Sequence, residues 1–395
     1  MKRFLSVLLA LTLFCSVFSF SLNANAAEAD EGLLSKYSLS SDEADILVSG
    51  ASIPLDYVNV NLIKNHLINH DESFNIKSTI DSSDGNQIKA FVRDMFYEAM
   101  KHTGVSNEGD YIRFQLDSWE SNMSVYTFFG KRTLSVDYNV VYFTTPKLES
   151  ELDKKVSSII KSLNLDGKED CEKIKAIHDY ICDNVTYDYD AAKIVETYGN
   201  TSDPLPHSAY AALCKGKAVC QGYALAFYRL ALECNIDVRI ISGVANGGSH
   251  AWNIVKIKDK YYLLDTTFDD TARTLAYFLK SEADFPDHAP DDEFKTAEFK
   301  KDYPISSKSF DYDAYLASLN PHYKIIGDFS GDGTISSDDS LLVLRASVGL
   351  ETVSNENFEI VDVDGDGDIS SFAALEILRY SVGLSVVSNV GKKIA

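Results

Sequence analysis

The chain has 395 residues, enough for two or three domains, and its 45% hydrophobic and 11% aromatic content excludes a disordered polypeptide. A formal charge of −22 excludes partners such as nucleic acid and anionic lipid, which so acidic a surface repels. Six cysteines are too sparse for a disulfide framework.

In chain order, Lys2 and Arg3 precede an apolar run from Phe4 to Phe20, and Ala24-Asn25-Ala26 follows. Residues 1–26 therefore read as a secretory signal cleaved after Ala26, which makes the mature protein extracellular and free of the membrane. No later stretch reaches spanning length. Cys15 leaves with the signal, and the odd remainder of cysteines predicts at least one free thiol.

Residues 27–150 form an accessory α+β region. Ile88, Phe91, Val92, Met95, Phe96 and Ala99 recur at helical spacing, and Leu134, Val136, Tyr138, Val140 and Tyr142 alternate as in a half-buried strand. The next domain, 151–318, opens with a helix over Asp153–Leu165. A second helix follows Asp170 and carries Ile174, Ile177, Ile181 and Val185. Cys171, Cys182 and His178 on it are expected to be structural.

The stretch Gly216-Lys-Ala-Val-Cys220-Gln-Gly-Tyr-Ala-Leu-Ala-Phe-Tyr-Arg-Leu places Cys220 at the start of a nearly all-apolar, hence buried, helix. Open N–H groups and the positive dipole end favour thiolate there and can receive an oxyanion. A proton partner comes from Gly247-Gly-Ser-His250-Ala-Trp-Asn, which opens a strand that turns at Lys258-Asp-Lys and returns as Tyr261-Tyr-Leu-Leu-Asp265-Thr-Thr. With a two- or four-residue turn His250 and Asp265 share a face of the hairpin, whereas a three-residue turn would separate them. On one face, Asp265 holds the imidazole tautomer while the other ring nitrogen meets Cys220. His207, Tyr210 and His288 are expected to be structural or surface residues, with His288 in a loop.

These motifs, with the lead-in Ala176-Ile-His-Asp-Tyr-Ile-Cys-Asp-Asn-Val-Thr-Tyr187, resemble the core of the transglutaminase-like superfamily over roughly 150–315. The resemblance implies an α+β, papain-like fold with the Cys on a central helix packed on an antiparallel sheet. It places the nucleophile on Cys220, the base on His250 and the orienting acid on Asp265. Thr266 departs from relatives, which often have proline there.

An internal repeat fills the C-terminus: Asp328-Phe-Ser-Gly-Asp332-Gly-Thr-Ile-Ser-Ser is echoed by Asp362-Val-Asp-Gly-Asp366-Gly-Asp-Ile-Ser-Ser. Asp328, Ser330, Asp332, the Thr334 carbonyl and Asp339 occupy positions one, three, five, seven and twelve of a calcium loop, with Gly333 at the sharp turn. The second loop offers Asp362, Asp364, Asp366 and the Asp368 carbonyl, but Ala373 stands at position twelve, so this site should be weaker. Leu341, Leu342, Leu344 and Val348 supply the apolar face of the helix after the first loop.

Residues 325–387 thus resemble a type I dockerin, a small all-α unit. That family binds cohesin modules on a scaffoldin and assembles cellulosomes on anaerobic bacteria. The resemblance implies cohesin contacts at Ser337 and Asp338 in the first loop and Ser371 and Phe372 in the second; the pairs differ, so one face is expected to be preferred. The expectation is a secreted, calcium-dependent cellulosomal thiol enzyme acting on peptide, isopeptide or glutamine amides, with hydrolysis favoured over cross-linking. The alternative is a catalytically silent module that binds protein or cell-wall peptide. A glycoside hydrolase is rejected, because the middle of the chain offers no credible carboxylate pair.

Overall fold

The computed structural model describes residues 33–46, 53–198, 203–319 and 324–394; the expected signal lies outside them. The described residues form a mixture of helix and sheet. The first sheet is antiparallel and joins β1 (Leu33–Ser40), β2 (Ser73–Ile80), β3 (Leu116–Phe128) and β4 (Lys131–Tyr142) in the order β1-β3-β4-β2. Alternation does the sorting: Leu134, Val136, Tyr138 and Val140 point inward and are buried. The helix Gly85–Ala99, N-capped by Asp84, lays Ile88, Phe91, Val92, Met95 and Phe96 on that face.

A second core follows. Its first helix spans Pro146–Leu163, seven residues earlier than Asp153, because Thr145 caps it and Pro146 suits the first turn. The next helix, Asp170–Asn184, starts at a reciprocal Glu169–Glu172 capping box. Both pack on the central helix Cys220–Glu233, buried continuously from Gly222 to Leu232. A second antiparallel sheet completes the layer: β5 (Val238–Ala245), β6 (Gly248–Ile257), β7 (Lys260–Leu264) and β8 (His288–Pro290), ordered β8-β5-β6-β7. Asn253 on β6 donates to the Ala224 carbonyl of the central helix at 3.2 Å, tying sheet to helix.

At the C-terminus, the helices Ser337–Ser347 and Ser371–Ser381 pack around Val343, Ala373, Ala374 and Ile377, and Ser340 Oγ donates to the Ala374 carbonyl at 2.7 Å. Lys324–Ile325 pairs with Lys393–Ile394 and clasps the ends of this unit. The apolar face of the first of these helices is divided between core and solvent. Leu341, Leu344 and Val348 face solvent, Leu342 is half-buried, and Val343 is the buried residue. Among the described residues, no helix is long and apolar enough to cross a membrane.

Candidate functional site

Cys220 is the first residue of the central helix, and Val219 before it is extended with no side-chain cap, so the first-turn N–H groups stay open. The Val219 N–H donates to the Pro206 carbonyl at 3.0 Å. Gly222 permits that contact, because a Cβ there would stand 2.9 Å from the Pro206 oxygen and 3.0 Å from the Ser208 oxygen. Gln221 donates to the Phe114 carbonyl at 2.7 Å, so the segment after β2 braces the residue beside the thiol.

The hairpin turn is Lys258–Asp259, since Ile257 pairs with Lys260. A two-residue turn puts His250 and Asp265 diagonally on one face, and His250 Nε2 donates to Asp265 Oδ2 at 2.7 Å. This bond fixes the tautomer and leaves Nδ1 for the sulfur. Asp265 is fully buried, and its Oδ1 accepts from the Thr267 and Phe268 N–H groups at 2.9 and 3.1 Å, capping the helix Thr266–Ala272. Burial alone would depress the His250 imidazole; hydrogen bonds to Asp265 and Cys220, and the charges of both, overcome it and push it up to about 10. Burial likewise opposes the Asp265 charge, yet donors from His250 and His288 hold the carboxyl below its usual range.

His288 departs from its expected loop. It lies on the edge strand β8, opposite Ala245, and its Nε2 reaches the same Asp265 Oδ2 at 3.0 Å. Tyr187 was also not singled out: the pairing Thr186–Tyr187 with Lys217–Ala218 sets it beside the run into Cys220, and burial, then the charge of Cys220, raises its phenol. Tyr187 closes the lead-in, but its spacing carries no sign of that placement, and His288 lies beyond every motif. His207 Nδ1 meets Gln221 Oε1 at 3.3 Å, and Tyr210 donates to Glu151 at 2.9 Å. His178 meets the buried Asp269 at 3.1 Å and pins its helix to the one that Asp265 caps. Cys171, Cys182, Cys214, Cys220 and Cys234 are all unpaired.

The first residue of each C-terminal loop accepts the same three N–H groups. Asp328 accepts from the Gly331, Asp332 and Gly333 N–H groups, and Asp362 from those of Gly365, Asp366 and Gly367. Gly333 and Gly367 take φ of 88° and 84°, the left-handed turn that such a loop needs. Asp339 closes the first loop by accepting from Ser330 N at 2.8 Å, and Ala373 cannot do so in the second. Oxygens of Asp362, Asp364 and Asp366 lie within 4.8 Å of one another, a donor set that suits a hard cation.

The sequence model of the transglutaminase-like superfamily matches residues 158–266, and that of the type I dockerin domain matches 326–380. The chain carries a transglutaminase-like domain followed by a type I dockerin domain. The chain is similar to the kyphoscoliosis peptidase of Homo sapiens, 25% identical over 241 residues, covering 55% of this chain and 33% of that protein. The Mus musculus protein is 25% identical over 211 residues, covering 46% and 31%. The chain thus spans about a third of the length of these curated relatives. A crystal structure described as a TGase overlaps 37% of this chain and 44% of its own at 22% identity, with a TM-score of 0.29.

Proposed function

We propose that the transglutaminase-like domain is a secreted thiol acyl-transfer enzyme, tethered to a scaffoldin cohesin in a cellulosome by its dockerin. The observation that carries this reading is the buried His250–Asp265 bond beside Cys220 at an uncapped helix tip. The Cys220 thiolate attacks an amide carbonyl, and the first-turn N–H groups receive the oxyanion. His250, protonated at neutral pH, gives its proton to the departing amine, and a thioester forms. His250 then takes a proton from water as it attacks, which releases the acid and the thiol. An amine in place of water gives cross-linking. Hydrolysis is favoured, because the matched relatives bear the name peptidase and water is abundant at an extracellular site.

Calcium would be held by Asp328, Ser330, Asp332, the Thr334 carbonyl and Asp339 in the first loop. In the second, Asp362, Asp364, Asp366 and the Asp368 carbonyl would hold it more weakly. The outward apolar stripes support cohesin docking. Leu341, Leu344 and Val348 are 56%, 43% and 65% exposed, and Leu375, Leu378 and Val382, one repeat later, are 51%, 40% and 63%. Ser337 with Asp338, and Ser371 with Phe372, begin the two helices at the ends of these stripes and would set the preferred face.

Incubation of the protein with a peptide library and a primary amine, read by mass, tests the enzyme. Cleaved or deamidated products are expected, absent in Cys220→Ala. Amine-linked products alone would replace hydrolase with cross-linker. No product of any kind, with Cys220 labelled by iodoacetamide no faster than a free thiol, would sink the reading.

A further inference from the structure

Asp265 is shared between two imidazoles. Its Oδ2 takes His250 Nε2 at 2.7 Å on one side and His288 Nε2 at 3.0 Å on the other. The second histidine is not a surface group, since its side chain is 1% exposed. Rings of Phe285, Trp252 and Phe268 surround it, with centroids at 4.0, 4.9 and 5.0 Å. Its other nitrogen, Nδ1, meets Asp287 Oδ1 at 2.9 Å, and Asp287 Oδ2 accepts from the Tyr277 hydroxyl at 2.6 Å. The Tyr277 carbonyl in turn accepts the Asp265 N–H at 3.1 Å. A closed circuit of hydrogen bonds therefore runs from the carboxylate through His288, Asp287 and Tyr277 and back to the backbone of Asp265.

We propose that His288 is a positioning residue for the thiol chemistry: it holds the Asp265 carboxylate charged and aimed so that His250 keeps the tautomer facing Cys220. This rests on the reading of Cys220, His250 and Asp265 as a triad. The physical reason is the cost of a buried carboxylate. A fully buried anion needs its lone pairs filled, or it takes up a proton and releases its partner. Two backbone N–H groups fill Oδ1, and His250 alone would leave Oδ2 half-filled in an aromatic, dry surrounding. His288 supplies the missing donor. The titratable groups that face Asp265 are His250 on β6, His288 on β8, Asp269 on its own helix, and Tyr187 and Tyr277 beside it. Of these, only the two histidines give Asp265 a side-chain donor among the described residues. Removal of His288 therefore favours protonated Asp265 and moves the acid limb of thiol reactivity to higher pH.

The geometry also explains why β8 is fixed so closely. It pairs with β5 through His288–Ala245, Ala289–Val244 and Pro290–Gly243. Gly243 lets the strands approach, because a Cβ there would lie 2.7 Å from the Pro290 Cα and 2.9 Å from the Trp252 ring.

The test is the rate of Cys220 alkylation by iodoacetamide on the full chain, resolved by peptide mass from acid to alkaline pH. Wild type is compared with His250→Ala, His288→Phe and His288→Gln. Phenylalanine keeps an aromatic ring in the box and removes the ring nitrogens; glutamine loses the ring and restores one donor. His288→Phe should react roughly tenfold to a hundredfold more slowly at neutral pH, with its acid limb at higher pH. His288→Gln should recover most of the rate. Wild-type behaviour of His288→Phe overturns the proposal, as does an equal loss at every pH with no recovery in glutamine. Should His288→Phe fail to fold, Asp287→Asn probes the same circuit one bond further out: a smaller loss and a like shift support the proposal, and a wild-type profile overturns it. His250→Ala separates the two levels. If it alkylates as fast as wild type, the triad itself is wrong; if it is slow while His288→Phe is unchanged, only the positioning role falls.

Discussion

The thiol site and the paired C-terminal loops are built in opposite ways. The thiol site collects Cys220 from a helix tip, His250 from one strand, Asp265 from the cap of another helix and His288 from an edge strand; the last three side chains are buried and Cys220 is half-buried. Each loop assembles its oxygens within about a dozen consecutive residues, with Asp328 and Asp339 of the first buried and Asp366 of the second exposed, and the helix after each loop turns leucines to water. The first arrangement needs a finished core before any two members meet. The second needs only a local turn and a cation. Under the proposed reading, acyl-transfer groups are therefore drawn from distant elements, whereas the groups for cation binding and docking are kept local.

The largest effect that sharpens this contrast is at the acid. Asp265→Asn removes the group that orients His250 and is expected to lower turnover by about 10³–10⁴ while calcium affinity stays unchanged. Equal damage to calcium binding, measured by calorimetry, would mean that the two regions are not independent. The same residue sets a pH window. The raised His250 contributes stability that is complete below its unfolded value, about 6.5, and lost as pH rises through about 10. Denaturant melts across that range should show this loss in wild type and a smaller one in the variant.

A middle-sized effect tests the loops. Asp328→Ala is expected to weaken the first calcium site roughly tenfold or more, whereas Ala373→Asp supplies the missing position-twelve ligand and tightens the second. Neither change should alter alkylation of Cys220. If Ala373→Asp leaves the second site unaffected, the inequality of the loops has another origin.

The smallest effect returns to the core. Thr266 stands at the first position of its helix, 3% exposed, with a hydroxyl that has no partner among the described residues. Proline suits that position and removes the unsatisfied group. Thr266→Pro should therefore raise stability by about 0.5–1 kcal/mol without loss of activity. A destabilised variant would mean that the Thr266 N–H or hydroxyl is needed where the site meets the helix cap.

Much of this was legible residue by residue. The apolar period located the helix of Phe91 and Phe96, alternation located β4, and the all-apolar run after Cys220 announced a buried helix. The spacing of His250 and Asp265 left the turn length open, and only the Ile257–Lys260 pairing settled it as two residues. Which part of that apolar face is covered was not legible, because local hydrophobicity reports apolar residues without saying which neighbour covers them. Val343, flanked by leucines, is the one that the opposing Ala374 and Ile377 bury. His288 was assigned to a loop because nothing in Phe-Pro-Asp-His-Ala-Pro records the edge of a sheet formed forty residues earlier.

By itself the sequence determined the chemical vocabulary: a thiol at a helix start, an imidazole and a carboxylate on adjoining strands, and two oxygen-rich turns in register. Those features depend on covalent neighbours and on periods of two or 3.6 residues, which are written along the chain. Tertiary structure alone decided that Asp265 serves two histidines, that Tyr187 stands beside the thiol, and which side of each C-terminal helix meets water. Such outcomes depend on which surfaces exclude water together, and close packing settles that only once every element is in place.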